Sequence, residues 1–344
     1  MAVKPLIQVI GSLNTDITVT IPRVPEAGET LNADSYSIGA GGKGANQAVA
    51  CGRAAFKSLT EQDIQVEIIG AVGANDPQVS SLLKPILHAS GVDTDGVLEI
   101  EGATTGTSTI FVESDGQNRI LFYPGANYDG MRDPSRLIDI ATRSDNRYPD
   151  VVVLQGEIPR ETTLELLGTF NDQSNKTQIV FNPAPAYPEG FPIEALCNLG
   201  VLIVNETECM LLARSMRVAA LPLDVDPESL SRNHLDDIAH GFCDTVGVKI
   251  TIVTLGSKGA YFATQSGIRD IVPSAKVDKV VDTTAAGDTF AGYFAAILAR
   301  HIASNKKWEE FNVRIAIEAA NTAAARCVQK AGSIQSIPFG YELC

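Results

Sequence analysis

The chain has 344 residues, of which 44% are hydrophobic, 20% charged and 6% aromatic. This composition is typical of a soluble globular protein and excludes disordered and fibrous classes. Its 41 acidic residues outnumber the 27 basic ones, and the resulting net charge of −14 argues against binding to nucleic acid or to an anionic membrane surface.

Cysteine usage and hydropathy indicate where the protein resides. The six cysteines include no Cys-x-x-Cys pair and the histidines complete no zinc motif, so we expect free thiols in a reducing compartment. The first apolar run, residues 6–10, is too short for a signal-peptide core, and no run of about 18 apolar residues follows. We expect a cytoplasmic protein, and a nuclear fraction stays open.

Short apolar runs recur along the chain, and each ends in a polar or Gly-rich cluster. They cover residues 7–10, 66–69, 151–154, 179–181, 201–204 and 250–253. Runs without alternation are typical of strands buried on both faces, and the stretches between them have helical spacing. The sequence therefore predicts one α/β domain over 1–344, with a central, mostly parallel β-sheet flanked by helices and ligands at the strands' carboxyl ends.

Two regions depart from this pattern. Residues 17–38 and 107–123 read as alternating strands, and Asp115-Gly116 is a strong hairpin signal. We expect an antiparallel flap, a small β-sheet lid over about 14–40 and 105–124, that excludes water from a site or pairs with another subunit. A hairpin without such a role is the alternative. Residues 210–248 are predicted to form two helices on one sheet face.

Asn14 and Asp16 follow the first predicted strand. They are two residues apart, so they share a face if the chain stays extended. A carboxylate next to an amide suits the neighbouring hydroxyls of a polyol. An Asx-turn is the alternative interpretation.

Residues 39–44 fit the G-x-G-x-x-G pattern and precede a helical stretch. They follow an alternating strand and not the first buried one, which disfavours a dinucleotide site, and a P-loop fails because Gly44 follows Lys43. What remains is a glycine turn that presents amides and one cation at a helix start, where hydroxyl or phosphate groups can approach. A Gly-rich turn without a ligand stays open.

The segment 282–298 is the most informative. Phe290, Phe294 and Leu298 recur at helical spacing, which puts residues 285–287 at the N-terminus of a helix. Unpaired amides there make an anion hole, formed by Ala285, Ala286 and Gly287. Asp288 beside it is placed as the general base for a hydroxyl that attacks a phosphoryl group. A capping role alone is the alternative.

These two glycine-containing motifs resemble the two signatures of the ribokinase-like (PfkB) family of carbohydrate kinases. Further motifs follow in the family's order at residues 155–159, 182–186, 205–208, 254–259 and 332–336, so the resemblance covers essentially the whole chain. It implies a Rossmann-like fold, ATP-dependent phosphorylation of D-ribose at the 5-hydroxyl, and homodimerisation through the lid.

The resemblance also assigns roles to individual residues. It implies that the sugar is held by Asn14, Asp16, Gly42, Lys43, Asn46 and Glu157, and that Asp288 takes the proton of its hydroxyl. It implies that Asn205 and Glu208 organise Mg²⁺ and the ATP phosphates, with the nucleotide also contacted by Thr254, Leu255, Gly256, Ser257, Lys258, Gly259, Gly287 and Asn321. A monovalent-cation site for K⁺ is implied at Asp282, Thr284, Cys327, Lys330, Gly332 and Ser336, largely through carbonyl oxygens. An ordinary surface amide is the alternative for Asn321.

Several alternatives stay open. Another acceptor, such as a nucleoside, fructose or a deoxy-sugar acid, would keep the same fold. A noncatalytic sugar sensor would keep the binding residues, and a dehydrogenase rests only on the G-x-G-x-x-G match. The connection from Glu208 to Thr254 is long, and it leaves regulation on the nucleotide side undecided.

Overall fold

The computed structural model describes residues 3–113, 118–143, 148–172, 174, 176–219 and 225–343. Its strands are β1 (Leu6–Ile10), β2 (Asn14–Ile21), β3 (Ser35–Gly41), β4 (Gln65–Gly73), β5 (Val92–Ile100), β6 (Gly106–Glu113), β7 (Asn118–Tyr123), β8 (Val151–Leu154), β9 (Gln178–Phe181), β10 (Val201–Asn205), β11 (Ile250–Thr254), β12 (Ala260–Thr264) and β13 (Arg269–Val272). Its α-helices are α1 (Lys43–Ala54), α2 (Lys84–Ala89), α3 (Ala126–Asp129), α4 (Pro134–Arg143), α5 (Arg160–Phe170), α6 (Glu206–Ser215), α7 (Arg232–Ala239), α8 (Ala286–Ala303) and α9 (Val313–Cys327). Two π-helical segments span Val79–Leu83 and His240–Val246. Short 3₁₀ turns span Ile193–Leu196, Pro227–Ser229, Gly256–Lys258, Trp308–Glu310, Ile334–Ser336 and Gly340–Glu342.

Within the described ranges, nine strands form the main sheet in the order β13-β12-β11-β10-β9-β8-β1-β4-β5. The strands from β11 to β5 pair in parallel, while β12 and β13 are antiparallel at one edge. The strands predicted from apolar runs are confirmed, because each run lies in a strand of this sheet and its apolar residues are buried. The predicted fold class, a mostly parallel sheet flanked by helices, is therefore confirmed.

An apolar layer covers each face of the main sheet. One layer contains Ala48, Phe290 and Phe294, which face the sheet from α1 and α8, and α9 packs behind them. The other contains side chains of α4 to α7, among them Leu166, Leu212 and Leu235. The two helices expected within 210–248 correspond to α6, which begins slightly earlier, and to α7. Burial on both faces fixes the strand ends, and so fixes the loops that follow them.

A second sheet has the order β3-β2-β6-β7. Both of its hairpins are antiparallel, as predicted, but β2 and β6 join them through a parallel pairing, so the flap is mixed and not wholly antiparallel. The predicted turn residues Asp115 and Gly116 lie outside the described residues. Apolar side chains of this sheet face solvent, namely Tyr36, Ile38, Ile120, Leu121, Phe122 and Tyr123.

No helix in the described part of the chain is both long enough and apolar enough to span a bilayer.

Candidate active site

The candidate site lies where the strands of the main sheet end and the helices α1 and α8 begin. Asp288 stands in the first turn of α8 and is only 5% exposed. Both of its carboxylate oxygens accept hydrogen bonds from α1: Oδ2 from Asn46 Nδ2 at 2.8 Å and Oδ1 from Gln47 Nε2 at 2.9 Å. The two glycine-containing motifs, about 240 positions apart in sequence, thus meet at one carboxylate.

Glu157 joins the start of α1 to the loop after β1. One of its oxygens accepts from Ser12 Oγ at 2.6 Å and from the backbone N–H of Lys43 at 2.9 Å. Ser12 Oγ also accepts from the N–H of Gly44 at 3.1 Å. A negative group at the N-terminal end of α1 is stabilised by the amides there. Gly42, just before the helix, has a φ of 91°, which glycine adopts most readily.

Three buried polar atoms near Asp288 have no hydrogen-bond partner among the described residues. They are Asn14 Nδ2, Asp16 Oδ1 and Asn46 Oδ1. Buried polar atoms are nearly always paired, so an unpaired donor and two unpaired acceptors in one place indicate a polar ligand with several hydroxyl groups. Asn127 orients the first of these, since its Nδ2 donates to Asn14 Oδ1 at 2.7 Å. The sequence predicted Asn14, Asp16 and Asn46 as ligand residues, and the structure brings them together.

The charges in this pocket influence one another. Burial raises the pKa of Asp16 to about 7, although a hydrogen bond from Ser108 lowers it in part. Burial also raises the pKa of Glu157, although Lys43 opposes that change. For Lys43, burial disfavours the charge, yet nearby carboxylates, chiefly that of Asp288, hold the pKa of its ammonium group above the usual value. Lys43 is therefore kept as a cation by the carboxylates around it, and it offsets part of their negative charge.

The nucleotide-side residues form a second group at the ends of β10 and β11. Asn205 and Glu208 cap α6 reciprocally: Asn205 Oδ1 accepts from the N–H of Glu208 at 2.8 Å, and Glu208 Oε2 accepts from the N–H of Asn205 at 3.0 Å. Burial raises the pKa of Glu208. The loop that contains Leu255, Gly256, Ser257 and Gly259 follows Thr254, and its Lys258 forms an ion pair with Glu206 at 3.1 Å.

The turn before α8 is open on its outer side. Ala285 has a φ of 61°, an unusual conformation for a residue with a side chain, and the N–H of Ala286 donates to the Thr283 carbonyl. A Cβ placed on Gly287 would meet nothing within 4 Å. The expectation of three unpaired amides is therefore wrong for Ala286, whose N–H is taken by the turn, while a ligand can approach the turn beside Gly287. Asn321 is buried on α9, where its Nδ2 donates to the Pro273 carbonyl at 3.0 Å, so it is not an ordinary surface amide.

The residues implied for the monovalent cation are linked by hydrogen bonds, two of them directly to Asp282. Its Oδ1 accepts from the N–H and Oγ1 of Thr284, and its Oδ2 accepts from the N–H of Gly332 at 2.9 Å. Burial alone would raise the pKa of Asp282, but these hydrogen bonds hold it below the usual value. Cys327 Sγ lies 3.0 Å from Ser336 Oγ, and the Cys327 carbonyl accepts from the N–H of Lys330. The Asp282 carboxylate is thus held by two of the residues that the resemblance implies for the cation, Thr284 and Gly332.

Five buried residues of the site were not assigned from the sequence: Ser12, Gln47, Asn127, Gln155 and Asn182. Gln155 and Asn182 stand in motifs already quoted, and one signal could have found Gln47. It lies in the helical stretch 45–51, which is otherwise mostly small and apolar, and a polar side chain buried there needs partners. Asn127 carries no comparable local signal.

Comparisons with known proteins agree with this geometry. Residues 4–339 match the pfkB family of carbohydrate kinases. The ribokinase of Schizosaccharomyces pombe is 34% identical over 334 residues, which is 96% of this chain and 94% of that protein. The crystal structure of ribokinase from Thermotoga maritima has a TM-score of 0.77 at 33% identity and covers 98% of both chains. The structure of Arabidopsis thaliana ribokinase complexed with ribose and ATP has a TM-score of 0.76 at 29% identity, over 100% of this chain and 98% of that one.

Proposed function

The chain belongs to the pfkB family of carbohydrate kinases, and on that premise we propose that it phosphorylates D-ribose at the 5-hydroxyl, with ATP as the phosphoryl donor. The similar proteins support ribose and ATP as its two substrates, since they are ribokinases and one of them was solved with both. They match nearly the full length of this chain.

The observation that carries the proposal is the position of Asp288. It is buried at the start of α8, beside a pocket in which Asn14, Asp16 and Asn46 each keep an unpaired polar atom. A sugar has enough hydroxyl groups to satisfy all three. A hydroxyl held there would lie next to a carboxylate that can accept its proton, which is the arrangement a general base needs.

The proposed step is an in-line transfer. Asp288 takes the hydroxyl proton while the sugar oxygen forms a bond to the γ-phosphorus of ATP and the bond between that phosphorus and the ADP oxygen breaks. Negative charge on the transferring oxygens faces the turn of Ala285, Ala286 and Gly287, where Gly287 leaves open space. Lys43 adds a positive charge on the sugar side.

Two cations complete the proposal. We propose that Glu208 and Asn205 organise Mg²⁺ and the ATP phosphates largely through water, because Asn205 Oδ1 and Glu208 Oε2 each already accept from the other residue's N–H and this ion keeps much of its hydration shell. When bound, it neutralises charge on the phosphate oxygens. The cluster around Asp282 would hold K⁺, and Asp282 already ties the loop before α8 to Gly332. Its effect on the reaction would be indirect, through the conformation of the turn at residues 285–287.

We also propose that the small sheet is the lid of a single α/β domain and the surface of a homodimer. The exposed apolar side chains of β3 and β7 support this, because a patch of that kind is unusual on a monomer. The five cysteines in the described part of the chain are free, which fits a reducing compartment such as the cytoplasm.

The test is ADP formation by the purified protein with Mg-ATP and K⁺, with and without ribose. We expect ADP formation to depend on ribose and to be much slower on fructose, deoxyribose or adenosine. Turnover only with another sugar would transfer the proposal to that acceptor. No turnover with any sugar, together with intact ribose binding, would favour a noncatalytic sensor.

A further inference from the structure

A chain of buried amides connects Asp288 to the central sheet. Gln47 is fully buried on α1, and its Nε2 donates to Asp288 Oδ1 at 2.9 Å and to Asn182 Oδ1 at 3.0 Å. Its Oε1 accepts from Gln155 Nε2 at 3.0 Å. Both N–H groups and the carbonyl of this one side chain are therefore in use.

Chemistry determines which amide atom donates and which accepts in this series of hydrogen bonds. A carboxylate without a proton can only accept, so the Gln47 atom that faces Asp288 must be its nitrogen, and its carbonyl must face Gln155. Gln155 then has to present its own nitrogen. Its Oε1 is left buried without a partner in the described part of the chain, and a Cβ on Gly11 would overlap that oxygen. The arrangement thus orients Gln47 while leaving one buried acceptor unsatisfied, which few native sites tolerate without a reason.

The two outer amides of this hydrogen-bonded series, those of Asn182 and Gln155, are anchored on strands. Asn182 Nδ2 donates to the carbonyl of Ile203 on β10 at 2.9 Å, and Gln155 Nε2 also lies 3.4 Å from the carbonyl of Val153 on β8. Asp288 itself belongs to α8, more than 80 positions beyond Ile203 in the sequence. Gln47 is therefore the contact that sets one oxygen of Asp288 relative to the parallel strands.

We propose that Gln47 is a positioning residue for the general base. Its amide donates to Oδ1 of Asp288 and fixes that oxygen, and because the nitrogen of a primary amide does not take up a proton, the hydroxyl proton is left to the carboxylate. The proposal rests on the proposed role of Asp288 as base. It separates Gln47 from Asn46, whose unpaired Oδ1 faces the sugar pocket.

Several other charged or titratable groups act on Asp288 from the elements around it. They are Lys43 on α1, Asp16 on β2, Glu157 after β8, Glu208 on α6 and Cys327 on α9. All of them stay unchanged in a Gln47 variant. A change in pH dependence between wild type and variant therefore reports on the lost amide.

The experiment compares Gln47→Met with Gln8→Met. Gln8 is a matched control, since it is also fully buried and its Nε2 also donates twice, to Glu67 and to the Ala141 carbonyl, on β1 and away from the site. For Gln47→Met we expect kcat for ribose phosphorylation to fall about 10- to 100-fold, the KM for ribose to change less than about threefold, and the acidic limb of the kcat profile to move up by about one pH unit. Gln8→Met should lose thermal stability without any shift of that limb.

Two further variants keep the outcome decisive. Gln155→Met removes only the group that orients Gln47, and we expect a smaller shift of the acidic limb in the same direction; this variant decides the matter if Gln47→Met does not fold. An unmoved limb, or a higher KM for ribose at unchanged kcat, would overturn the proposal. Asp288→Asn is measured alongside: if it retains near wild-type kcat, the base assignment itself fails, whereas its inactivity beside an unmoved limb refutes only the role of Gln47.

Discussion

Asn127 donates through Nδ2 to Asn14 Oδ1 at 2.7 Å, and this hydrogen bond determines which end of the Asn14 amide faces the pocket beside Asp288. Asn127 is fully buried, and its own Oδ1 accepts from the N–H of Leu13 at 2.9 Å, so it cannot turn over without losing that bond. Asn14 is thereby left with its Nδ2 unpaired and directed to the ligand as a donor.

Asn127→Asp should reverse this orientation. The new carboxylate still accepts from Leu13 but cannot donate, so Asn14 is expected to turn its nitrogen toward residue 127 and its oxygen toward the sugar. We expect the KM for ribose to rise about 10-fold with kcat little changed. The control Asn171→Asp makes the same chemical change at the end of α5, outside the pocket, and should leave KM unaltered. Unchanged KM in Asn127→Asp would contradict this account of the pocket.

We expect Asp16 to give ribose binding a pH dependence. Since burial raises its pKa to about 7, the carboxylate proposed to accept hydrogen bonds from the sugar is present mainly above pH 7 and is lost as the pH falls below it. Ribose affinity, measured by titration calorimetry, should therefore weaken from pH 8 to pH 6. Asp16→Asn should bind more weakly at pH 8 and show a flat profile over the same range; an equally steep profile in this variant would assign the effect elsewhere.

Asp16 affects folding stability in the opposite direction: ribose binding is expected to be stronger at high pH, whereas the fold is stabilised at low pH. Its pKa lies above the usual 3.8, so the folded protein without sugar binds the proton more tightly than the unfolded chain, and this contribution favours folding at low pH. It is lost as the pH rises through about 7. Relative to wild type, Asp16→Asn should thus have a higher Tm at pH 8, and the difference should shrink toward pH 5. A constant difference in Tm would contradict this assignment.

Gly41 is required because the Asp16 carboxylate approaches its Cα too closely to leave room for a side chain. A Cβ at this position would overlap the Asp16 carboxylate, whereas a Cβ on Gly39 of the same strand would lie 3.6 Å from Gln335 Nε2, an ordinary contact. Gly41→Ala should displace Asp16 and raise the KM for ribose about 10- to 100-fold, the effect of losing a hydrogen bond to a charged group. Gly39→Ala is the matched control with little expected change. Similar KM values for the two variants would show that Asp16 moves aside at no cost.

The monovalent cation is tested by salt exchange. With Asp282 ionised and linked to Gly332, the proposed site should respond to the size of the ion, so we expect a higher kcat in KCl than in NaCl at equal ionic strength. Asp282→Asn should have a low kcat in both salts. Equal wild-type rates in K⁺ and Na⁺ would exclude the site.

The sequence predicted the parts of the fold that depend on local pattern. Apolar runs such as residues 250–253 identified the buried strands, and the spacing of Phe290 and Phe294 identified α8, because burial of a strand or helix face shows directly in residue order. The parallel pairing of β2 with β6 had no such signal, since about 90 residues separate the two strands. Pairing over that distance is decided by the packing of the whole domain.

The candidate site divides in the same way. Asp288 and Lys43 stand in motifs whose residue types indicate their chemistry, so both could be proposed from sequence. Gln47 and Asn127 act through side-chain contacts to residues 241 and 113 positions away, and only the folded chain shows which amide faces which. Orientation of polar side chains is the information that sequence order does not contain.

The most direct test of the account is Asp288→Asn, with kcat and ribose affinity measured on the same preparation. The account predicts that kcat falls by about 10²- to 10⁴-fold, the contribution expected of a general base, while the Kd for ribose from titration calorimetry changes less than about threefold. A variant that retains kcat within a few-fold of wild type, or that loses ribose binding to the same extent as activity, would contradict the assignment of Asp288 as the base.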